Sequence, residues 1–145
     1  MRNRKKYVLV SLTVIVLVAA FTGYYLYNKP VLDVKHSSGK NISATALYDH
    51  FSNDTTLAKK EFMQQVLQVS GEVTHVTTNQ QNNMVILLKT GIDGAAVNCT
   101  MEEPIPGISA GSKVEIKGIC NGMGEGDKAL GILGDVYLVR CYQVK

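Results

Sequence analysis

The residues with the widest chemistry in this chain are three cysteines, Cys99, Cys120 and Cys141, and three histidines, His36, His50 and His75. The histidines share no ligand spacing with each other or with a cysteine, so neither a metal nor a cofactor is expected. No histidine neighbours a cysteine in sequence, and the one adjacent basic residue, Arg140 before Cys141, alternates away from it on a strand, which leaves little cause for an activated thiol. Glu102 and Glu103 are adjacent, and on an extended segment their carboxylates point apart. Residues 121–135 (NGMGEGDKALGILGD) hold five glycines, but their spacing does not fit a phosphate cradle. Nucleophile elbows, P-loops and paired-carboxylate patterns are absent from the sequence, so no enzyme and no catalytic residue is expected. The remaining chemistry is that of contact. Asn79, Gln80, Gln81, Asn82 and Asn83 offer amide donors and acceptors, whereas Met123, Leu130, Ile132 and Leu133 offer an apolar set on a glycine frame. Both groups are candidate lips of a binding face, suited to a peptide, protein or glycan. The alternative for the apolar set is that it folds back and extends a hairpin.

These residues need elements to carry them, and 145 residues allow one modest core. Four of the 15 basic residues lie in the first six positions. From Asn28 onward 11 basic face 12 acidic groups, a net of −1, so the body of the chain has no general attraction for phosphate. Residues 7–27 (YVLVSLTVIVLVAAFTGYYLY) carry no charge. At about 1.5 Å per residue they make roughly 31 Å of helix, enough to cross a bilayer core. The basic residues 1–6 then stay in the cytoplasm and the rest is exported, as a single-pass protein of the cytoplasmic membrane. Cleavage after Val18-Ala19-Ala20 is the competing reading, with residues 8–18 as a signal peptide's apolar stretch. Residues 28–42 are polar, with Pro30 and Gly39, and read as a tether that also holds His36.

The exported domain is expected over residues 43–145. Ser43 is a helix N-cap followed by Ala44, Leu47, Tyr48 and Phe51 at helical spacing, with a further helical segment carrying Leu57, Ala58 and Phe62. The pattern then changes to period two. Strands are expected at residues 66–76, 84–89, 95–101, 113–120 and 136–144, the first of them long and carrying Gly71. On that first strand Val69, Gly71, Val73 and His75 share one side, unless Gly71 bulges it. Cys99, Cys120 and Cys141 all fall on inward faces. Five short strands with a glycine-bent first one suggest a Greek-key barrel of the OB type, preceded by a helical lead-in.

Several segments carry a family resemblance. Ser43-Ala44, Leu47-Tyr48, Phe51, Asn53, Ala58 and Lys60 look like the lead-in of the tRNA_anti-like family of bacterial OB-fold proteins. VLQVSGEV, MVILL, AVNCTM, AGSKVEIKGICNG and DVYLVRC resemble that family's strands, over roughly Ser43 to the C-terminus. Residues 123–134 look longer than the family's usual connection. The resemblance implies an exported or membrane-tethered OB domain whose activity is open, because one fold hosts many functions.

Single-stranded nucleic-acid binding is the alternative function. It calls for a basic groove and aromatic platforms on the second and third strands, where Lys89 is the one basic residue and no aromatic occurs. The layout also resembles that of haem chaperones, but no histidine follows His75. In an OB topology the third and fifth strands are neighbours. Cys99–Cys141 is therefore the candidate disulfide, with three buried thiols as the other reading.

Overall fold

The structure, a computed structural model, describes residues 2–28, 33–127 and 129–144. The chain divides into two compact units, Met1–Asp33 and Val34–Lys145. The first is helix α1 (Arg2–Tyr27), whose segment Lys6–Tyr27 has a mean hydropathy of 2.1 and is long and apolar enough to cross a membrane. None of that segment is buried against protein. Ser11 and Thr22 spend their hydroxyls on the helix's own Val8 and Val18 carbonyls. Two polar groups on an apolar surface are thereby satisfied without water.

The second unit runs β1 (Lys40–Ser43), α2 (Ala44–Asn53), α3 (Thr55–Phe62), β2 (Val66–Thr78), β3 (Met84–Lys89), β4 (Ala96–Met101), β5 (Lys113–Met123) and β6 (Val136–Gln143). Strands β2-β3-β4-β6-β5 form a sheet that closes on itself through a β2–β5 pairing. This is the five-stranded OB barrel, with β1 as a sixth strand lying parallel to β2. β2 serves both ends of the closure: residues 66–72 pair with β5, while residues 73–78 pair with β3. The edge that β3 leaves vacant on the first half of β2 is filled by β1, with Ile42 opposite Val69.

The helical lead-in is built by caps. Ser43 Oγ accepts from Ala46 N, and Asp54 Oδ1 accepts from Thr56 N and Leu57 N, which starts α3 directly after α2. Leu47, Tyr48 and Phe51 of α2 and Ala58 and Phe62 of α3 are buried together with Leu67, Val69, Ile86, Leu88, Val97, Ile116 and Leu138 of the strands. Each fully buried large apolar side chain contributes about 1.5–3 kcal/mol relative to exposure.

Two expectations need correction. Residues 40–42 form a strand rather than tether, and the compact unit starts at Val34, itself buried, rather than at Ser43. On the long strand the register shift lies between Val73 and His75, at Thr74, not at Gly71. Thr74 donates its hydroxyl to Leu87 O there. The extra residue turns His75 outward, away from the side it shares with Val69 and Val73 in a regular pleat. The inward placement of Cys99, Cys120 and Cys141 agrees with the alternation, and all three are buried.

Gly118 of β5 sits where a Cβ would lie 2.5 Å from Cys141 Sγ. Gly118→Ala should therefore destabilise the barrel by about 1–3 kcal/mol through overpacking, read from urea unfolding. The loss should shrink in a Cys141→Ala background, which removes the sulfur that the new methyl meets.

Candidate functional site

Register places one outward row across four strands. His75 of β2 pairs with Leu87 of β3, Leu87 with Asn98 of β4, and Asn98 with Tyr137 of β6. At about 4.8 Å between strands the row is roughly 14 Å long, with a ring at each end. Thr100 and Ala96 lie on either side of Asn98 on the same pleat face, and Ala96 pairs with Lys89. Beside the row is a shallow cavity of about 350 Å³ lined by Thr74, His75, Leu87, Lys89, Ala96 and Asp135, among others. Asp135 Oδ1 accepts from Ala96 N at 2.9 Å, so this carboxylate is engaged in closing the barrel edge. Beneath, buried Thr90 donates to Ala95 O at 2.8 Å. Among the described residues no buried side-chain N or O lacks a partner, and no three His, Cys, Asp or Glu gather as metal ligands. The arrangement offers ring, amide and apolar side chains to a ligand by surface contact.

The two predicted lips lie at opposite ends of β3. The β2–β3 turn joins Thr78 to Met84, whereas the β5–β6 connection reaches the Lys89 end through Asp135. The strand between them is about 17 Å long at 3.4 Å per residue. In the first lip Asn79 is consumed by folding. Its Oδ1 accepts from Gln81 N at 3.0 Å and Asn83 N at 2.9 Å, and Asn82 adopts φ 64°. Gln80, Gln81 and Asn82 remain exposed.

In the second lip the backbone extends the hairpin. Gly124 N donates to Asp135 O, and added Cβ atoms at Gly126 and Gly134 would lie 2.2 and 2.0 Å from Ile132 O and Gly124 O. The stem admits glycine only. At its tip the Asp127 carboxylate accepts from Ala129 N and Leu130 N, and the Asp127 carbonyl accepts from Ile132 N. This turn presents Leu130 and Ile132 at 72% and 56% exposure, with Leu133 also exposed. The hairpin extension expected of these residues holds for the main chain and not for their side chains. Met123 instead packs against the core.

Glu102 and Glu103 do diverge: Glu102 approaches Arg140 at 4.0 Å, and Glu103 accepts from Lys35 Nζ at 2.7 Å. His50 lies edge-on to Phe62 on the helical lead-in, away from the row. Two face residues, His75 and Tyr137, were not identified from the sequence. A signal for Tyr137 exists, since it alternates with buried Val136 and Leu138. His75 depends on the bulge and has none.

A family model described as tRNA_anti-like matches residues 1–130, which takes in the apolar helix and stops before β6. No curated protein matches the chain. Among solved structures, a protein assigned as an aspartyl-tRNA synthetase from Leishmania major Friedlin aligns over 87% of this chain at 12% identity with a TM-score of 0.43. The chain spans 25% of that protein's length.

The geometry separates the two lips in their response to substitution. Leu130→Ser with Ile132→Ser should leave stability within about 0.5 kcal/mol, because both side chains are already in water. Asn79→Ala should cost about 1–3 kcal/mol, because two backbone N–H groups lose their acceptor. Thermal or urea unfolding of the three variants checks both.

Proposed function

The chain belongs to the tRNA_anti-like family, and on that premise we propose that it is a single-pass protein of the cytoplasmic membrane whose exported OB barrel is a non-catalytic binding module. The ligand is an uncharged or weakly charged peptide, protein segment or glycan, laid across His75, Leu87, Asn98 and Tyr137. The observation that carries this reading is the scarcity of charge on the face. Lys89 is its one formal cation, with Asp93 and Asp135 lining the same cavity. Amide and ring side chains on a short row suit hydrogen bonding and stacking against sugars or a peptide backbone. The apolar helix, 22 residues long with basic residues before it, supports the membrane placement.

A second reading, oligonucleotide binding, is favoured by the family and by the two rings at the ends of the row, on which bases can stack. Salt discriminates the readings. A fluorescent single-stranded oligothymidine titrated against the full chain in neutral micelles should bind at most weakly. Tight binding that falls steeply with rising salt would establish the second reading in place of the first. For the first, a photoreactive side chain placed at Leu87 should crosslink a partner in native membranes, and Tyr137→Ala should reduce the yield. Crosslinking equal to that from a probe on the far side of the barrel would overturn it. A C-terminal alkaline-phosphatase fusion should be active, and a chain beginning at Phe21 would show cleavage instead of anchoring.

A further inference from the structure

The thiols are the one chemically reactive set that the binding face does not use. All three are free and buried in the structure. β4 and β6 run parallel, with Cys99 opposite Leu138 and Met101 opposite Cys141, which sets Cys99 and Cys141 diagonally on neighbouring strands. On a regular pleat that diagonal is about 7–8 Å, so a bond needs a small backbone shift at the register slip between them. The two thiols are near enough to interact, and Cys99 is the largest cause of the raised Cys141 pKa. Gly118 clears the space in front of the Cys141 sulfur, which a Cβ there would approach to 2.5 Å.

Cys120 is excluded by register. Leu138 pairs with Cys99 on one side and Cys120 on the other, so Cys99 and Cys120 stand two strands apart. Two strand spacings are about 9.6 Å, beyond the roughly 7 Å between Cα atoms that a disulfide spans. Along β6, Cys141 is three residues from Leu138, the partner of Cys120, which is again about 10 Å.

We propose that Cys99 and Cys141 form a disulfide that bolts β4 to β6, made by exchange with a disulfide oxidant while the chain folds. In the exchange one thiolate attacks the oxidant's disulfide, and the mixed disulfide is then displaced by the second thiolate. Two thiol protons are released to solvent, one S–S bond forms in the protein, and the oxidant leaves as two thiolates that take up protons. The bond would join an irregular, parallel seam of the barrel. β4–β6 is parallel, which pairs less strongly, and it slips register where Arg140 takes φ 54°.

The timing follows from the surroundings. The neighbouring Cys99 thiol, with burial, raises the Cys141 pKa well above its ordinary value, and burial raises that of Cys120. Folded thiols so placed supply little thiolate and no access, so exchange belongs to the unfolded or folding chain.

In the cell the proposal rests on the exported placement argued above, because that compartment supplies the oxidant. The pairing is testable without it. The full chain in micelles is reduced, unfolded in urea and refolded with oxidised glutathione. Remaining thiols are blocked with N-ethylmaleimide, and the chain is mapped by non-reducing proteolysis and mass spectrometry. The expected result is a Cys99–Cys141 linked peptide and alkylation of Cys120 alone. Cys120→Ser should refold the same way and show no alkylation, whereas the folded, reduced chain should oxidise markedly more slowly. Alkylation of all three cysteines after refolding, or a link through Cys120, overturns the pairing. If refolding yields the bond but protein blocked at harvest from cells lacks it, the exported placement is what fails.

Discussion

One strand has to satisfy two neighbours, and the rest of the barrel is arranged around that requirement. β2 must give its first half to β5 and its second half to β3 for a five-stranded sheet to close. A strand that does both has to bend sharply, and Gly71 stands two residues before the pairing changes hands at Val73. A Cβ there would lie 3.1 Å from the Ala44 Cβ and 3.3 Å from the Leu88 Cβ. The missing methyl thus lets the first turn of α2 and the wall of β3 come together. With that approach made, Leu47, Phe51 and Phe62 reach the same core as Leu67 and Leu138. Closure also strands a length of β2 edge opposite β5. The four residues of β1 cover it, so that no open ladder faces solvent at that point.

The proposed binding face is a consequence of how the bend is relieved. A regular pleat would send His75 to the same side as Val73. The slip at Thr74 inserts a residue, and His75 joins Leu87, Asn98 and Tyr137 on the outside. β6 does the reverse. Leu138 and Cys141 are both buried although three residues separate them, and Arg140 in the left-handed region absorbs the odd residue. One bulge delivers a polar ring to the surface, and the other delivers a thiol to the interior. Both lie at register shifts of the curved sheet.

This division explains what could be read from the sequence. Periodicity and caps are local, so the Lys113–Cys120 alternation, the Ser43 cap and the barrel class were legible before any contact was known. β1 was not, since KNIS is short and polar and becomes a strand because β2 has a vacant edge to offer. The bulges were not, because a slip is a relation between two strands. Within the candidate site, Asn79 counted as a ligand group but is occupied by its own turn. Leu130 and Ile132 looked costly to expose. They are exposed at the turn tip, where Gly124, Gly126 and Gly134 of the stem offer no side chain against which they could fold.

Magnitudes then favour contact over charge as the means of recognition. Two stacked bases on His75 and Tyr137 would bring about 1–3 kcal/mol each. That sum of about 2–6 kcal/mol spans weak affinities centred on the millimolar range. One lysine neutralises about one phosphate, so counterion release adds little. The tip is a larger reserve: fully burying side chains the size of Leu130, Ile132 and Leu133 is worth about 1.5–3 kcal/mol each, and all three begin in water. A ligand that takes hydrogen bonds along the row and offers an apolar group to the tip gains from both. A polyanion uses only the rings. On the function we propose, the same tip that a nucleic acid would leave wet is what favours a peptide, protein segment or glycan.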